Sequence, residues 1–195
     1  MFKWYGDAEV CYTFLSNVSA AKDPHEPWSS FRRSRWFIRG WTLQELIAPG
    51  VVYFYAAHWK FIGCRDKLLN VIVQVTNISP TYFVTSDLSQ FSAAQKMSWA
   101  ANRRTTRTED VAYCLLGLFD TNMPLLYGEG KRAFQRPQEE ILRQSEDDSL
   151  FSHNDSQILA TSPLCFRDCD QVPSKGRELA VQERPDTRAQ QKPVP

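Results

Sequence analysis

The 195-residue chain has no apolar run approaching the roughly 18–20 residues that cross a bilayer as a helix. Its opening, MFKWYGDAEV, lacks the apolar stretch and small-residue cleavage site of a secretory leader. An excess of one charge is missing too: 23 Lys and Arg face 22 Asp and Glu, for a net +1. Such a balance gives no long-range attraction to nucleic acid or an anionic membrane, and neither partner is expected. The five cysteines (Cys11, Cys64, Cys114, Cys165 and Cys169) form no C-x-x-C pair, and Cys165 and Cys169 have no histidine at metal-site spacing. No metal, no bound cofactor and a reduced, cytoplasmic setting are therefore expected. His25, His58 and His153 lie far apart, and Ser86 and Ser98 lack a nucleophile elbow, so hydrolytic triads have no support. Gly128 and Gly130 precede a helix but without the G-K-[ST] ending of a phosphate loop.

What the chain does have is apolar and aromatic mass. Hydrophobic residues make up 43% and aromatics 13%, enough for a packed globule with one real core. The densest stretch is WFIRGWTLQELIAP, from Trp36 to Pro49. Trp36, Trp41 and Leu46 are candidates for burial there, while Arg39 and Glu45 must find water, each other or a ligand. Thr42 with Glu45 three residues later reads as a capping box opening a short helix. Pro49-Gly50 ends it, and VVYFY follows as a strand.

Either side of this stretch the elements alternate. MFKWY reads as the last turn of an amphipathic helix and AEVCYTFL as a buried strand, with Cys11 a small buried hydrophobe. Residues 16–30 form a polar loop broken by Pro24 and Pro27. WKFIG is a further short strand, and RDKLLNVIVQVTNI places Leu68, Leu69, Ile72, Val73 and Val75 on one helical face, with a strand as the alternative given its β-branched content. FSAAQKMSWAANR and EDVAYCLLGLF read as helices joined by RTTRT, with Thr108 as N-cap. Pro137 should kink or break the helix KRAFQRPQEEILRQSED. Beyond about residue 170 the chain turns polar and proline-rich, as disordered tails do.

Three ordered blocks, MFKWYGDAEVCYTFLSNV, SRWFIRGWTLQELIAP and MSWAANRRTTRTEDVAYCLLGLFDTNMPLLYGEGKRAF, resemble the fungal heterokaryon-incompatibility (HET) domain family. The middle block is similar to the family signature W-x-x-R-x-W-T-x-Q-E, carried here by Trp36, Arg39, Trp41, Thr42, Gln44 and Glu45. The last block resembles the extension found in the vegetative-incompatibility subgroup. The resemblance implies an effector module in fungal non-self recognition and regulated cell death. It also implies an α/β, TIR-like fold: a small, mainly parallel sheet flanked by helices, with a helical C-terminal extension. Residues 1–80 would be the C-terminal part of a HET domain, 81–165 the extension and 166–195 a disordered tail. The family's usual N-terminal block is absent, so the domain is expected to be shortened at that end.

Some TIR enzymes cleave NAD using the glutamate of a W-x-x-x-E helix, and Trp41 and Glu45 have that spacing. By this analogy NAD is the candidate substrate and Glu45 the candidate catalytic carboxylate, stabilising positive charge on the ribose as nicotinamide leaves. The alternative for Glu45 is structural, in a capping box or an ion pair with Arg39. Arg39 itself either binds phosphate or pairs with Glu45 or Glu109. Trp36 is assigned to the core, while Trp41 is open between core and a stacking role. Lys96, Arg103, Arg104 and Arg107 beside Trp99 read as a solvated interhelix link, preferred over a nucleic-acid site with the arginines on phosphates and Trp99 stacking on a base. The competing function is a non-enzymatic module for protein interaction or self-association, or an inactive fragment.

Overall fold

The structure, a computed structural model, describes residues 1–145 and 147–173. Among them three strands form one mixed sheet in the order β1 (Cys11–Leu15), β2 (Val52–Ala56), β3 (Phe61–Cys64). β1 and β2 run parallel, with Tyr12 opposite Tyr53 and Phe14 opposite Tyr55. β3 returns antiparallel, with a register shift at Phe54/Tyr55. The expected mainly parallel sheet is thus half antiparallel. The reason is local: only four residues, Ala57 to Lys60, connect β2 to β3, whereas a parallel neighbour needs a crossover of a dozen or more. His58 and Trp59 both adopt left-handed backbone, with φ of 59° and 57°, as a tight hairpin turn requires. Neither is glycine, and the conformation costs about 1–2 kcal/mol per residue.

The crossover from β1 to β2 carries the polar loop, the 3-10 turn Arg35–Ile38 and helix α2 (Thr42–Ile47). The inner face of the sheet, Leu15, Val52, Phe54 and Ala56, is at most 1% exposed. Phe54 meets Phe31 and Trp36 edge-to-face at 5.5 and 5.6 Å, the favoured geometry for aromatic pairs. Leu43, Leu46 and Ile47 of α2 join the same core, as do Val71 and Ile72 of α3 (Leu69–Thr76). The α3 face is centred on Leu68, Val71 and Ile72; Leu69, Val73 and Val75 lie half-buried on its flanks. α1 (Phe2–Gly6) packs on α2. AEVCYTFL is less buried than expected: Tyr12 and Phe14 face out, and Cys11 is half-buried.

Pro80 opens α4 (Pro80–Thr85), an element without a periodic signal in the sequence. Ser92 caps α5 (Ala93–Ser98), and with Gln95 it forms a true capping box. The segment after residue 146 closes over that helix start. Asp147 accepts from Ala93 N at 2.7 Å and Ser149 Oγ from Ala94 N at 3.0 Å, satisfying two otherwise orphan amides. Ser92 Oγ donates to Val172 O and Gln95 Nε2 to Asp170 O, so residues 170–172 also strap onto α5. The remainder of the expected tail lies outside the described residues.

α6 (Asp110–Tyr113) begins after Glu109, not with Thr108 as its cap. α7 (Gln135–Gln144) shows no break at Pro137. The 3-10 turn Gly130–Phe134 feeds directly into it and places Pro137 in the first turn of α7, where its missing N–H needs no intrahelical acceptor. Among the described residues no helix is long and apolar enough to cross a membrane, and no group of His, Cys, Asp and Glu is arranged to hold a metal.

Candidate functional site

The approach to α2 is built by short-range bonds. Ser34 Oγ caps the 3-10 turn by accepting from Trp36 N and donates to Asn17 Oδ1 just past β1. Arg39 is extended and lies beside Arg104: Gly40 N donates to Arg104 O at 2.9 Å and Arg104 N to Ile38 O at 2.7 Å. Gly40 permits this approach, because a Cβ there would sit 2.5 Å from Thr105 Cγ2 and 3.1 Å from Cys114 Sγ. Helical backbone begins at Trp41, with φ −62° and ψ −29°, one residue earlier than a Thr42 cap would allow. The expected capping box is therefore absent. Thr42 Oγ1 instead lies 2.5 Å from Trp36 O and 2.9 Å from Arg39 O.

Two buried guanidinium groups hold α2 at its ends. At the N-terminal end Arg103 donates to Arg39 O (2.9 Å), Thr42 Oγ1 (3.1 Å) and Trp99 O (3.3 Å). Burial pushes its pKa down to about 10, against the opposing pull of Cys114 and Glu45. At the C-terminal end Arg65 donates to Leu46 O, Pro49 O and Gly50 O at 2.7–2.9 Å, supplying donors to carbonyls beyond the reach of the helix's own amides. Burial lowers the Arg65 pKa as well.

Glu45 leaves α2 on the side covered by α1. Tyr5 Oη donates to its Oε1 at 3.4 Å and Trp36 Nε1 to its Oε2 at 3.3 Å, so the half-buried carboxylate is held by two long bonds under a helix. Burial, and then the Glu45 charge, raise the Tyr5 pKa. Cys11 is near enough that Glu45 adds to the upward shift that burial causes in its thiol. Among the described residues neither Glu45 nor Glu109 pairs with Arg39, which is exposed.

Arg39 and Trp41 face elsewhere. They line a cleft of about 710 Å³ with Arg35, Arg104, Trp36 and Asp110, opening beside Ser16 and Asn17 at the C-terminal end of β1. Ligands commonly bind at this end of parallel strands. None of the described ion pairs uses Arg35, Arg39 or Arg104. Trp41, half-buried, also borders another cleft of about 370 Å³ with Gln44, Tyr113 and Thr121. The chemistry available in the larger cleft is anion binding by guanidinium forks beside an indole face.

Over 147 residues the chain is 47% identical to the vegetative incompatibility protein HET-E-1 of Podospora anserina. The chain belongs to the fungal vegetative-incompatibility family. The match takes in 72% of the chain but only 11% of that relative's length. No family model matches the chain, and no solved structure does.

For this family member the structure separates residues that the signature groups. Trp36 is core at 8% exposure, hydrogen-bonds Glu45 and only edges the cleft, Gln44 is buried with its amide on Cys114 O at 2.6 Å, and Arg39 and Trp41 line the cleft. The basic link is also split. Arg103 is buried beneath α2, Arg104 lines the cleft, Arg107 sits over the Tyr127 ring and Lys96 over Phe119. Trp99, at 3% exposure, is not a free stacking platform. Glu109 closes the glycine turn instead of pairing with arginine: Gly128 N and Gly130 N donate to its Oε1 at 2.9 and 3.0 Å. Its own backbone N–H first, and then these two, hold its pKa below the usual glutamate value. Nothing in the sequence singles out Tyr5, Arg65 and Arg103 as partners of α2. Each lies 15 to 64 residues from the group it contacts, a separation at which no local pattern exists.

Proposed function

We propose that this chain acts in vegetative incompatibility as an effector segment that works by associating with protein partners, leading to regulated cell death, and not by cleaving NAD. The observation that carries this reading is the environment of Glu45. A carboxylate that must stabilise positive charge on a ribose needs the sugar against it, and here a phenol and an indole occupy its two oxygens. Incubated with NAD, the chain is expected to release no more nicotinamide than its Glu45→Ala variant. Expressed in hyphae, both are expected to cause the same loss of viability. Nicotinamide release that disappears with Glu45→Ala would overturn the reading.

An alternative reading, TIR-like NAD hydrolysis with Glu45 catalytic and Arg39 and Trp41 holding phosphate and base, is favoured by one observation. Those two residues line a cleft at the C-terminal end of a parallel strand. Its distinguishing prediction is that Tyr5→Ala, which uncovers Glu45, raises nicotinamide release.

A further inference from the structure

The sheet has two faces, and the described residues cover only one of them. On the outer face Tyr12, Phe14, Tyr53, Tyr55, Trp59 and Phe61 touch one another in an unbroken array. Phe14 stacks on Trp59 with centroids 4.8 Å apart, and the other neighbouring pairs lie at 5.5–6.1 Å. Tyr12, Phe14, Trp59 and Phe61 are 61%, 41%, 63% and 53% exposed. Parallel strand pairs are ordinarily buried on both faces, so a bare face over β1 and β2 calls for a cover.

We propose that this aromatic face is a homotypic docking surface, occupied by the same face of a second copy of this chain related by a two-fold axis. The proposal rests on the reading of the chain as an association module, and it adds the surface and the partner. Charge selects the occupant. The strand residues, CYTFL, VYFYA and FIGC, include no Lys, Arg, Asp or Glu. A single-stranded nucleic acid would need cations along its backbone beside the rings, and a charged protein surface would need a counter-charge. The complement of a sheet face whose strands carry rings and no charge, with the exposed Lys60 confined to its hairpin turn, is another of the same kind, packed face to face about 10 Å away with rings interleaved. A two-fold arrangement makes such a patch self-complementary and leaves no unsatisfied copy of it.

Area sets the strength. Aromatic side chains carry ~150–250 Å² each, so four exposed rings and two half-buried ones leave on the order of 500 Å² of ring surface in water. Two faces together bury ~1,000 Å², at the threshold of a specific interface and below the ~1,600 Å² of a standard one. The geometry therefore predicts a weak, concentration-dependent dimer.

Sedimentation equilibrium of the chain over a range of concentrations tests this, beside Tyr12→Glu and Phe61→Glu. The expected result is a reversible monomer–dimer equilibrium that either glutamate weakens at least about tenfold. The double variant His58→Asn with Trp59→Gly guards against misfolding. It supplies residues suited to the left-handed turn while deleting the most exposed ring of the array, so its melting temperature should hold or rise as dimerisation weakens. Dimerisation unchanged by all three variants would overturn the surface while leaving the association reading intact. A chain that stays monomeric at every concentration would overturn the homotypic proposal, and partner-dependent death in hyphae would then still support the broader reading. Quenching of tryptophan fluorescence by oligo(dT), lost in Tyr12→Glu and Phe61→Glu, would replace the second copy with nucleic acid.

Discussion

The inner and outer faces of one small sheet use aromatic residues in opposite ways. Phe54 on the inner face has no exposed surface and is boxed in by Phe31, Trp36 and Phe37. Its neighbours on the same strand, Tyr53 and Tyr55, alternate to the outer face and lie among rings that water reaches. Strand alternation alone assigns the two sides, but it does not decide which side is closed. That follows from the crossover: 36 residues between β1 and β2 return over one face only, bringing α2 and the 3-10 turn with them. Composition is a poor guide to burial here, because the path of the chain settles it.

The sharpest way to break this contrast is to truncate a ring on each face. Phe54→Ala should lower unfolding stability by about 3–5 kcal/mol, as large-to-small changes in a closed core do. Phe61→Ala, measured in the same denaturant titration of the monomer, should cost less than about 1 kcal/mol. Comparable costs would mean the outer face is covered within the single chain.

A smaller effect should come from adding volume beneath α2. Gly40→Ala places a methyl 2.5 Å from Thr105 Cγ2, and overpacking of this kind costs about 1–3 kcal/mol. A drop in melting temperature, accompanied by loss of amide protection at Gly40 and Arg104, is the expected outcome. Stability unchanged by the methyl would show that the inner side has slack that the packing around Phe54 lacks.

The smallest effect belongs to neither face and serves as the control. Glu109 has a folded pKa below its ordinary value, so the stability it contributes is complete above about pH 4.5 and is lost as pH falls through the depressed value. Amide NMR shifts of Gly128 and Gly130 should titrate in that acid window, while the ring signals of the sheet do not. Glu109→Gln should abolish the titration. Sheet signals moving with the same midpoint would indicate that the glycine turn and the sheet unfold together.

Legibility varies in the same way. The strands at 52–56 and 61–64 and the helix at 69–76 are readable, because alternation and 3.6-residue periodicity survive wherever one side is buried. The two capping boxes make the opposite point. Thr42 with Glu45 fits the pattern but lies inside the helix, since Trp41 is already helical, and both side chains bond elsewhere. Ser92 with Gln95 forms the real one, because Ser92 is extended at ψ 163° and frees its hydroxyl for Gln95 N. A spacing rule states which bonds are possible, and competing long-range partners decide which are made. The tandem Arg103-Arg104 illustrates this at the candidate site. Adjacent and chemically identical, one is buried as a clamp on α2 and the other lines the cleft.

Residue order alone is enough to establish the family, the absence of a long apolar span and the alternation that gives the sheet two chemically distinct faces, all of which are local or cumulative properties of the chain. The fate of Glu45 is of another kind. It depends on Tyr5, 40 residues away, and on Trp36 arriving from the 3-10 turn, while α2 is pinned by Arg65 and Arg103 from opposite directions. Such contacts appear only once loop closure has brought distant segments together, and their entropic cost is met by the core as a whole rather than by any pattern near Glu45.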